Sequence, residues 1–324
     1  MSENISFIDT LVYAARVRDD KLLNMSSSGG MFIPLSDHFL ENGGAVACAV
    51  YNYKTSQTEF ELITQKSERD KALGSKYMQS ILGNIFRECE NWLKNNDGKN
   101  LLFVGMGCQA DGFRSYAEIK GFRERVYIVD IVCHGSPSPK LWRDYAAFTE
   151  EKQGGNIQYL TFKDKRNGWK TPYAMVKIND REIPISDYVR IFYSKCALRP
   201  SCHVCPYTTT ERKSDMTIGD FWGIENVHKD FYDPKGNSLV LVHTLKGKEL
   251  FDSIKGSLEY IESNVENCLQ PNLVKPTEMS VRRGEFWNDY NDHGIQFIIK
   301  KYGNISFMTK VKRKLKKVIK AILK

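Results

Sequence analysis

The chain has no apolar run long enough to cross a membrane as a helix, and it has no internal repeat or low-complexity stretch. Its first residues, MSENISFIDTLVYAAR, lack the layout of a secretory signal. A hydrophobic content of 41% and a charged content of 27% are typical of a globular protein. We therefore expect a cytoplasmic protein whose eight cysteines are ligands, reactive thiols or core residues rather than disulfides.

Acidic residues are missing from the segment 310–324, which carries eight basic residues. The remaining body has 39 basic and 39 acidic residues, so the net charge of +8 does not indicate nucleic-acid binding. Over 306–324 the apolar residues fall on one face of a predicted helix and the lysines on the other. This pattern favours peripheral contact with an anionic surface at the inner face of the cell membrane. The alternative is a helix docked on its own domain or on a partner.

The first half of the chain alternates strand and helix patterns. Apolar runs at 45–51, 101–105 and 126–132 predict buried strands, while 31–41 and 77–95 have helical periodicity. A helical pattern also lies between the second and third strands, which predicts a parallel strand–helix–strand unit. We therefore expect an α/β fold in this half.

The second half changes to short strand patterns around a cysteine-rich loop, with turn signals at Asn167-Gly168 and Asn179-Asp180. These patterns predict mixed or antiparallel strands, an α+β arrangement. We expect an N-terminal α/β lobe at 1–150, a C-terminal lobe with the cysteine loop at 151–300, and a basic amphipathic tail helix at 301–324.

The cysteine loop, KCALRPSCHVCPY, places Cys196, Cys202 and Cys205 at a C-x5-C-x2-C spacing. Core cysteines are usually scattered, so this clustering indicates a metal site. An iron–sulfur cluster is favoured, and it needs a fourth soft ligand from elsewhere in the chain. A structural zinc site that recruits His203 is the alternative.

Two cysteines compete for the fourth position. Cys108 lies where a predicted strand meets a helix, at the edge of a parallel sheet where ligands bind and a helix N-terminus stabilises a thiolate. Cys133 follows the next strand and lies close by in such a sheet. Cys133 and His134 together also allow a reactive thiol beside a base.

Small-residue turns before helical patterns suggest a second site. One turn holds Ser26, Ser27, Ser28, Gly29 and Gly30; the other holds Gly74, Ser75, Lys76 and Tyr77. Backbone N–H groups and hydroxyls in such turns can bind a phosphate, although a serine-rich helix cap is the simpler explanation. Neither turn is a G-x-G-x-x-G or P-loop sequence.

Six motifs in order give the chain a specific resemblance: SSSGGMF, GSKYMQS, GMGCQ, DIVCHGSPSP, CALRPSCHVC and SDMTIGDFWGIE. Over roughly residues 10–245 the sequence resembles the coenzyme F420 hydrogenase/dehydrogenase beta-subunit family, and within it the bacterial branch found beside surface-polysaccharide genes. The resemblance implies an oxidoreductase with FAD and a 4Fe-4S cluster. Its partners would be an electron-donor protein or a reduced small-molecule cofactor, such as a deazaflavin, ferredoxin or a nicotinamide.

The resemblance also implies site residues. Cys108, Cys196, Cys202 and Cys205 correspond to cluster ligands, and the turns at 26–30 and 74–77 to flavin contacts. The family usually reads GTPCQ where this chain has GMGCQ, so the loop before Cys108 differs. A non-enzymatic, zinc-stabilised assembly module of polysaccharide biosynthesis remains the alternative to the enzyme.

Overall fold

The computed structural model describes residues 6–304 of the chain. Its strands are β1 (Phe7–Val17), β2 (Ala45–Asn52), β3 (Gln57–Ile63), β4 (Ser80–Ile81), β5 (Leu101–Met106), β6 (Val126–Ile131), β7 (Tyr159–Asp164), β8 (Tyr173–Ile178), β9 (Arg181–Pro184), β10 (Met216–Asp220), β11 (Ser238–Thr244) and β12 (Leu258–Ser263). Its helices are α1 (Asp20–Met25), α2 (Phe32–Glu41), α3 (Ile85–Asn95), α4 (Gly107–Lys120), α5 (Pro139–Gln153), α6 (Ser186–Tyr193), α7 (Ile224–Val227), α8 (Leu245–Ile254), α9 (Val265–Cys268), α10 (Pro271–Val274) and α11 (Arg283–Ile298). The tail helix predicted over 306–324, with its expected membrane contact, lies outside the described residues.

The apolar runs of the first half build the centre of a mixed sheet, in the order β12-β1-β11-β10-β6-β5-β2-β3-β4. The four central strands are parallel, because β6 pairs in parallel with both β10 and β5, and β5 with β2. Strands β11, β1 and β12 extend the sheet antiparallel on one side, and β3 does so on the other. The expected α/β class, with parallel strand–helix units and mixed strands, is confirmed.

Both faces of this sheet are covered. On one face α2 and α8 contribute Leu35, Phe39 and Phe251, and on the other α3 and α4 contribute Leu93 and Phe113, all nearly inaccessible to solvent. Full burial of such a side chain contributes roughly 1.5–3 kcal/mol. Strands buried on both faces need continuous apolar sequence, which is why the runs at 101–105 and 126–132 predicted them.

Residues 159–184 form a separate antiparallel sheet, β7-β8-β9. Its β8–β9 hairpin turns at Asn179 and Asp180, whose φ angles of 50° and 60° are those of a type I′ turn. Helices α5, α6 and α11 pack around Trp142, Tyr188 and Phe286 beside this sheet. The predicted antiparallel strands are therefore present here. The later strands β10, β11 and β12 instead join the large sheet.

Strands from both sides of residue 150 thus share one sheet, and the division into lobes at 1–150 and 151–300 stays a prediction. The helix expected over 77–95 is wrong in its first half, since α3 begins only at Ile85. Gly83 has a φ of 53°, which an α-helix does not accommodate, and Met78 and Ser80 turn inward. Within residues 6–304 we find no helix of the length and apolarity needed to cross a membrane.

Candidate functional site

The site lies where the parallel strands end. In the register of β5 and β6, Met106 pairs with Ile131, so the two strands end level with each other. Cys108 sits in the first turn of α4, directly after β5, and Cys133 follows β6 by two residues. The side chain of Gln109 accepts a 3.2 Å hydrogen bond from the Met106 N–H and so holds this strand-to-helix turn.

Four cysteines line one small pocket of about 60 Å³ at this edge: Cys108, Cys133, Cys202 and Cys205. Neighbouring thiols contribute to the raised pKa of Cys108 and of Cys133, after burial, which is the largest cause for both. Burial raises the pKa of Cys133 to about 12.

Backbone contacts fix the cysteine loop against the segment after β6. Pro137 and Leu198 form an isolated antiparallel bridge, and the Arg199 N–H donates to the Ser136 carbonyl at 2.9 Å. The Ser136 N–H in turn donates to the sulfur of Cys202 at 3.4 Å. Hydrogen bonds of this kind to a ligand sulfur tune a metal centre.

Cys196 is not brought to this pocket. Its side chain is 2% exposed, within the apolar cluster around Tyr188 and Phe286. Its thiol donates to the Ser280 hydroxyl at 3.3 Å. The structure therefore gathers three of the four cysteines expected as ligands, and it adds Cys133, the alternative for the fourth position.

The histidines near the loop do not complete a site either. His203 does not line the cysteine pocket, and its Nδ1 lies 2.8 Å from the Thr277 carbonyl. His134 has its Nδ1 3.5 Å from the Thr277 hydroxyl, and the Cys133 pKa of about 12 is not that of an activated thiol. Among residues 6–304, no three His, Cys, Asp or Glu side chains are placed to hold a single metal ion.

A larger pocket of about 460 Å³ runs along the same edge, from the β11 end of the sheet to β4. Its walls include eight of the nine residues predicted from the small-residue turns: Ser26, Ser27, Ser28, Gly30, Gly74, Ser75, Lys76 and Tyr77. Gly29 instead packs inward, where a Cβ would lie 2.4 Å from the Ala15 carbonyl oxygen. The two turns that were predicted from the sequence therefore form most of one wall of this pocket.

The two turns meet each other and carry a cation. The Ser75 N–H donates to the Ser27 hydroxyl at 2.8 Å, and Lys165 Nζ donates to the Ser28 carbonyl at 2.7 Å. Lys76 Nζ donates to the carbonyls of Ala72 and Leu73 at 2.6 and 3.1 Å. Burial lowers the pKa of Lys76 to about 8.

The two pockets share a wall, formed mainly by residues 133–136. Three buried polar atoms of the larger pocket have no hydrogen-bond partner among residues 6–304: the Nε2 of His134, the Oγ of Ser136 and the Oγ1 of Thr58. Leaving such a group unpaired costs about 1–3 kcal/mol each. A polar ligand or water in the pocket would satisfy them.

Two residues of the DFWG segment line this pocket, as the sequence suggested. Asp220 and Trp222 line it, whereas Phe221 is fully buried in the core. Trp222 stacks on Trp169 with ring centroids 4.9 Å apart, and Lys163 forms an ion pair with Asp220. Lys163 and Thr58 carry no motif, so sequence reasoning missed both.

Known proteins resemble this chain in sequence and in fold. Residues 98–267 match the family described as the C terminus of the coenzyme F420 hydrogenase/dehydrogenase beta subunit. The fold is similar to a chain of the F420-reducing [NiFe] hydrogenase complex from Methanosarcina barkeri, with a TM-score of 0.54, 17% identity, and 91% of each chain covered. No curated protein sequence matches the chain. Because the family match spans more than half of its length, the chain belongs to the coenzyme F420 hydrogenase/dehydrogenase beta-subunit family.

Proposed function

We propose that this protein is an iron–sulfur flavoprotein oxidoreductase. In this proposal Cys108, Cys133, Cys202 and Cys205 hold a 4Fe-4S cluster, and FAD occupies the larger pocket. The observation that carries it is the shared wall, residues 133–136, which separates a pocket lined by four thiols from a pocket lined by the two small-residue turns. When bound, the flavin supplies hydride chemistry and the cluster supplies single-electron steps.

The donor set supports the cluster. Four thiols surround one pocket, and thiolates are the ligands that iron–sulfur clusters use. In a 4Fe-4S cluster each thiolate binds a different iron, so the four sulfur atoms stand farther apart than four ligands on one zinc ion, each at about 2.3 Å from the metal. The four thiols that line the pocket match the number of ligands that such a cluster needs.

Two glycines at this pocket let the segment around the cysteine loop pack closely against the ends of β5 and β6. A Cβ on Gly135 would lie 2.8 Å from Leu198 and 3.4 Å from the Cβ of Cys202, and its φ is 132°. A Cβ on Gly107 would lie 2.9 Å from Tyr207. Larger residues at either position would push the cysteine loop away from the ends of β5 and β6.

The larger pocket has the features that FAD needs. Its volume lies in the range of cofactor sites, and more of its exposed lining is apolar than polar. The turns joined by Ser27 and Ser75, with Lys76 behind them, suit a pyrophosphate. The unpaired His134 and Ser136, on the wall shared with the cysteines, suit the polar edge of a ring held close to the cluster.

The electron donor in this proposal is a deazaflavin, ferredoxin or a nicotinamide, and the acceptor belongs to surface-polysaccharide biosynthesis. Trp222, Lys163 and Asp220 line the larger pocket, where the Lys163 ammonium pairs with Asp220 and lies 5.7 Å from the centroid of the Trp222 ring. The donor and the acceptor are named here from the family resemblance. They can be tested once the protein has been loaded with its cofactors.

The test is anaerobic purification of the full chain, with metal and flavin analysis. We expect a brown protein with about four irons and one FAD per chain. Cys133→Ala should abolish the visible iron–sulfur absorption, and Cys196→Ala, its matched control, should keep it. A colourless wild-type protein with one zinc and no flavin would support the assembly-module alternative and overturn the proposal. Loss of the chromophore in Cys196→Ala, with retention in Cys133→Ala, would overturn the ligand assignment.

A further inference from the structure

A row of polar side chains crosses one face of the large sheet, starting beneath the cysteine pocket. Arg212 lines that pocket, and a Cβ on Gly107, in the turn that carries Cys108, would lie 3.3 Å from its guanidinium. Arg212 Nη1 donates to the Asp130 carboxylate of β6 at 3.1 Å. Both side chains are almost completely buried, with 2% and 3% exposure.

The row continues from Asp130 toward the edge of the sheet. Thr217 on β10 is the register partner of Asp130 in a parallel pair of strands, so the two side chains lie side by side on the same face of the sheet. The Thr217 hydroxyl lies 2.9 Å from His243 Nε2 on β11, and His243 Nδ1 lies 3.1 Å from the Thr10 hydroxyl on β1. His243 is 2% exposed, whereas Thr10 is partly exposed. The row therefore links the ion pair under the cysteines to the surface, across four adjacent strands.

The side chains of this row can pass a proton from one to the next. Threonine hydroxyls and a neutral imidazole each donate and accept hydrogen bonds. An isolated carboxylate at 3% exposure is costly to keep charged, and burial raises the pKa of Asp130 although Arg212 opposes this.

We propose that this row couples electron arrival at the cysteine pocket to proton uptake by Asp130. The inference rests on the proposed function, since it assumes a redox centre held by the four cysteines. One electron from the reduced donor adds one negative charge at the pocket. One proton from water then passes through Thr10, His243 and Thr217 and forms an O–H bond on the Asp130 carboxylate. The local net charge is thereby unchanged, and Arg212 stays positive throughout.

The titratable and charged groups that face the row are the other possible sites of protonation. Asp130 is opposed by Thr217 on β10 and by Gly105 on β5, with Arg212 and Ser214 above it. His243 faces Thr217 and Thr10, and the Arg212 charge lowers its pKa in addition to burial. The neighbouring Asp215 carboxylate is held by Arg123 at 2.8 Å and by the Ile128 N–H at 2.8 Å. Asp130 is therefore the group that we expect to gain the proton.

The test is a spectroscopic redox titration of the full chain, loaded with its cluster, at several pH values. In the wild type the midpoint potential should fall with rising pH, by at most about 59 mV for each tenfold change in proton activity. Asp130→Asn should remove this slope. Asp111→Asn is the matched control, because Asp111 lies on α4 near Cys108 and accepts from Tyr207 at 2.8 Å but is not in the row. Its slope should equal that of the wild type.

A second variant keeps the inference testable if Asp130→Asn does not fold. Thr217→Val preserves shape and leaves Asp130 in place, so the slope at equilibrium should remain while stopped-flow reduction slows several-fold. A pH-independent potential in the wild type, or an unchanged slope in Asp130→Asn, would overturn the coupling. Absence of any cluster in the wild type would instead overturn the proposed function, so the two failures are distinguishable.

Discussion

The backbone N–H of Ser75 donates a 2.8 Å hydrogen bond to the hydroxyl of Ser27. These residues are 48 positions apart, and the bond joins the two small-residue turns that form one end of the larger pocket. Each turn alone is compatible with an ordinary helix cap or loop. Joined, they form one wall of the larger pocket together with Lys76, and small residues in such turns let backbone N–H groups approach a pyrophosphate.

Removal of that hydroxyl should weaken flavin binding. In Ser27→Ala the Ser75 N–H loses its partner, which costs about 1 kcal/mol, and the second turn is no longer fixed. We expect FAD to bind at least about fivefold more weakly, as measured by quenching of flavin fluorescence. Ser253→Ala is the control, since Ser253 bonds only within α8, to the Leu250 carbonyl. Equal affinities in the two variants would refute the role of the Ser27 turn.

Gly135 should be intolerant of a side chain. Its φ of 132° is unfavourable for other residues, and a Cβ would clash with Leu198 at 2.8 Å. We expect Gly135→Ala to lower the iron content and the visible absorption at least several-fold. In the control, Gly112→Ala on α4, the new Cβ meets only the ring of Phe86, at 3.8 Å or more, and iron content should be unchanged. Full iron loading of Gly135→Ala would contradict this account of the loop.

The proximity of Cys108 and Cys133 could be predicted from the sequence, because it depends only on the strand patterns that directly precede them. The nearly all-apolar runs at 101–105 and 126–132 are typical of strands covered on both faces, and parallel strands joined by a helix end at one edge. Cys108 and Cys133 follow those strands directly. Their proximity was therefore predictable without knowledge of any contact.

The position of Cys196 away from the cysteine pocket could not be predicted from the sequence. The spacing C-x5-C-x2-C treats its three thiols alike, but Lys195 has a φ of 66° and reverses the chain just after α6. Cys196 thereby faces the apolar cluster and Ser280. Likewise Thr58 enters the pocket only because β3 lies beside β2 in the sheet. Both outcomes depend on tertiary geometry that a spacing pattern does not encode.

Lys76 should make flavin binding depend on pH in the alkaline range. Burial lowers its pKa from 10.5 to about 8, so the folded protein loses this positive charge as pH rises through about 8. We expect the affinity for FAD, an anion, to fall between about pH 7 and pH 9. Lys76→Met should bind more weakly at pH 7 and show little further change.

Lys71→Met is the control for that titration, because Lys71 is exposed and pairs with Glu68 outside the pocket. Its affinity profile should follow the wild type. A wild-type profile that is flat across this range would show that Lys76 does not contact the bound anion.

His243 should make the folded state less stable in acid. Its pKa is lowered from 6.5 to about 3, first by burial and then by the charge of Arg212. The unfolded chain therefore binds a proton on this residue, and the folded chain does not, between about pH 6.5 and pH 3. The free energy of unfolding should fall as pH decreases through that range, by at most about 1.4 kcal/mol per pH unit from this one group.

The matched variant for this acid effect is His243→Gln, because a glutamine can still donate and accept between Thr10 and Thr217 without titrating. In urea unfolding, the wild type should lose stability more steeply than His243→Gln between about pH 6 and pH 4, since acid effects on other groups are common to both. Parallel stability curves would show that His243 is protonated in the folded protein.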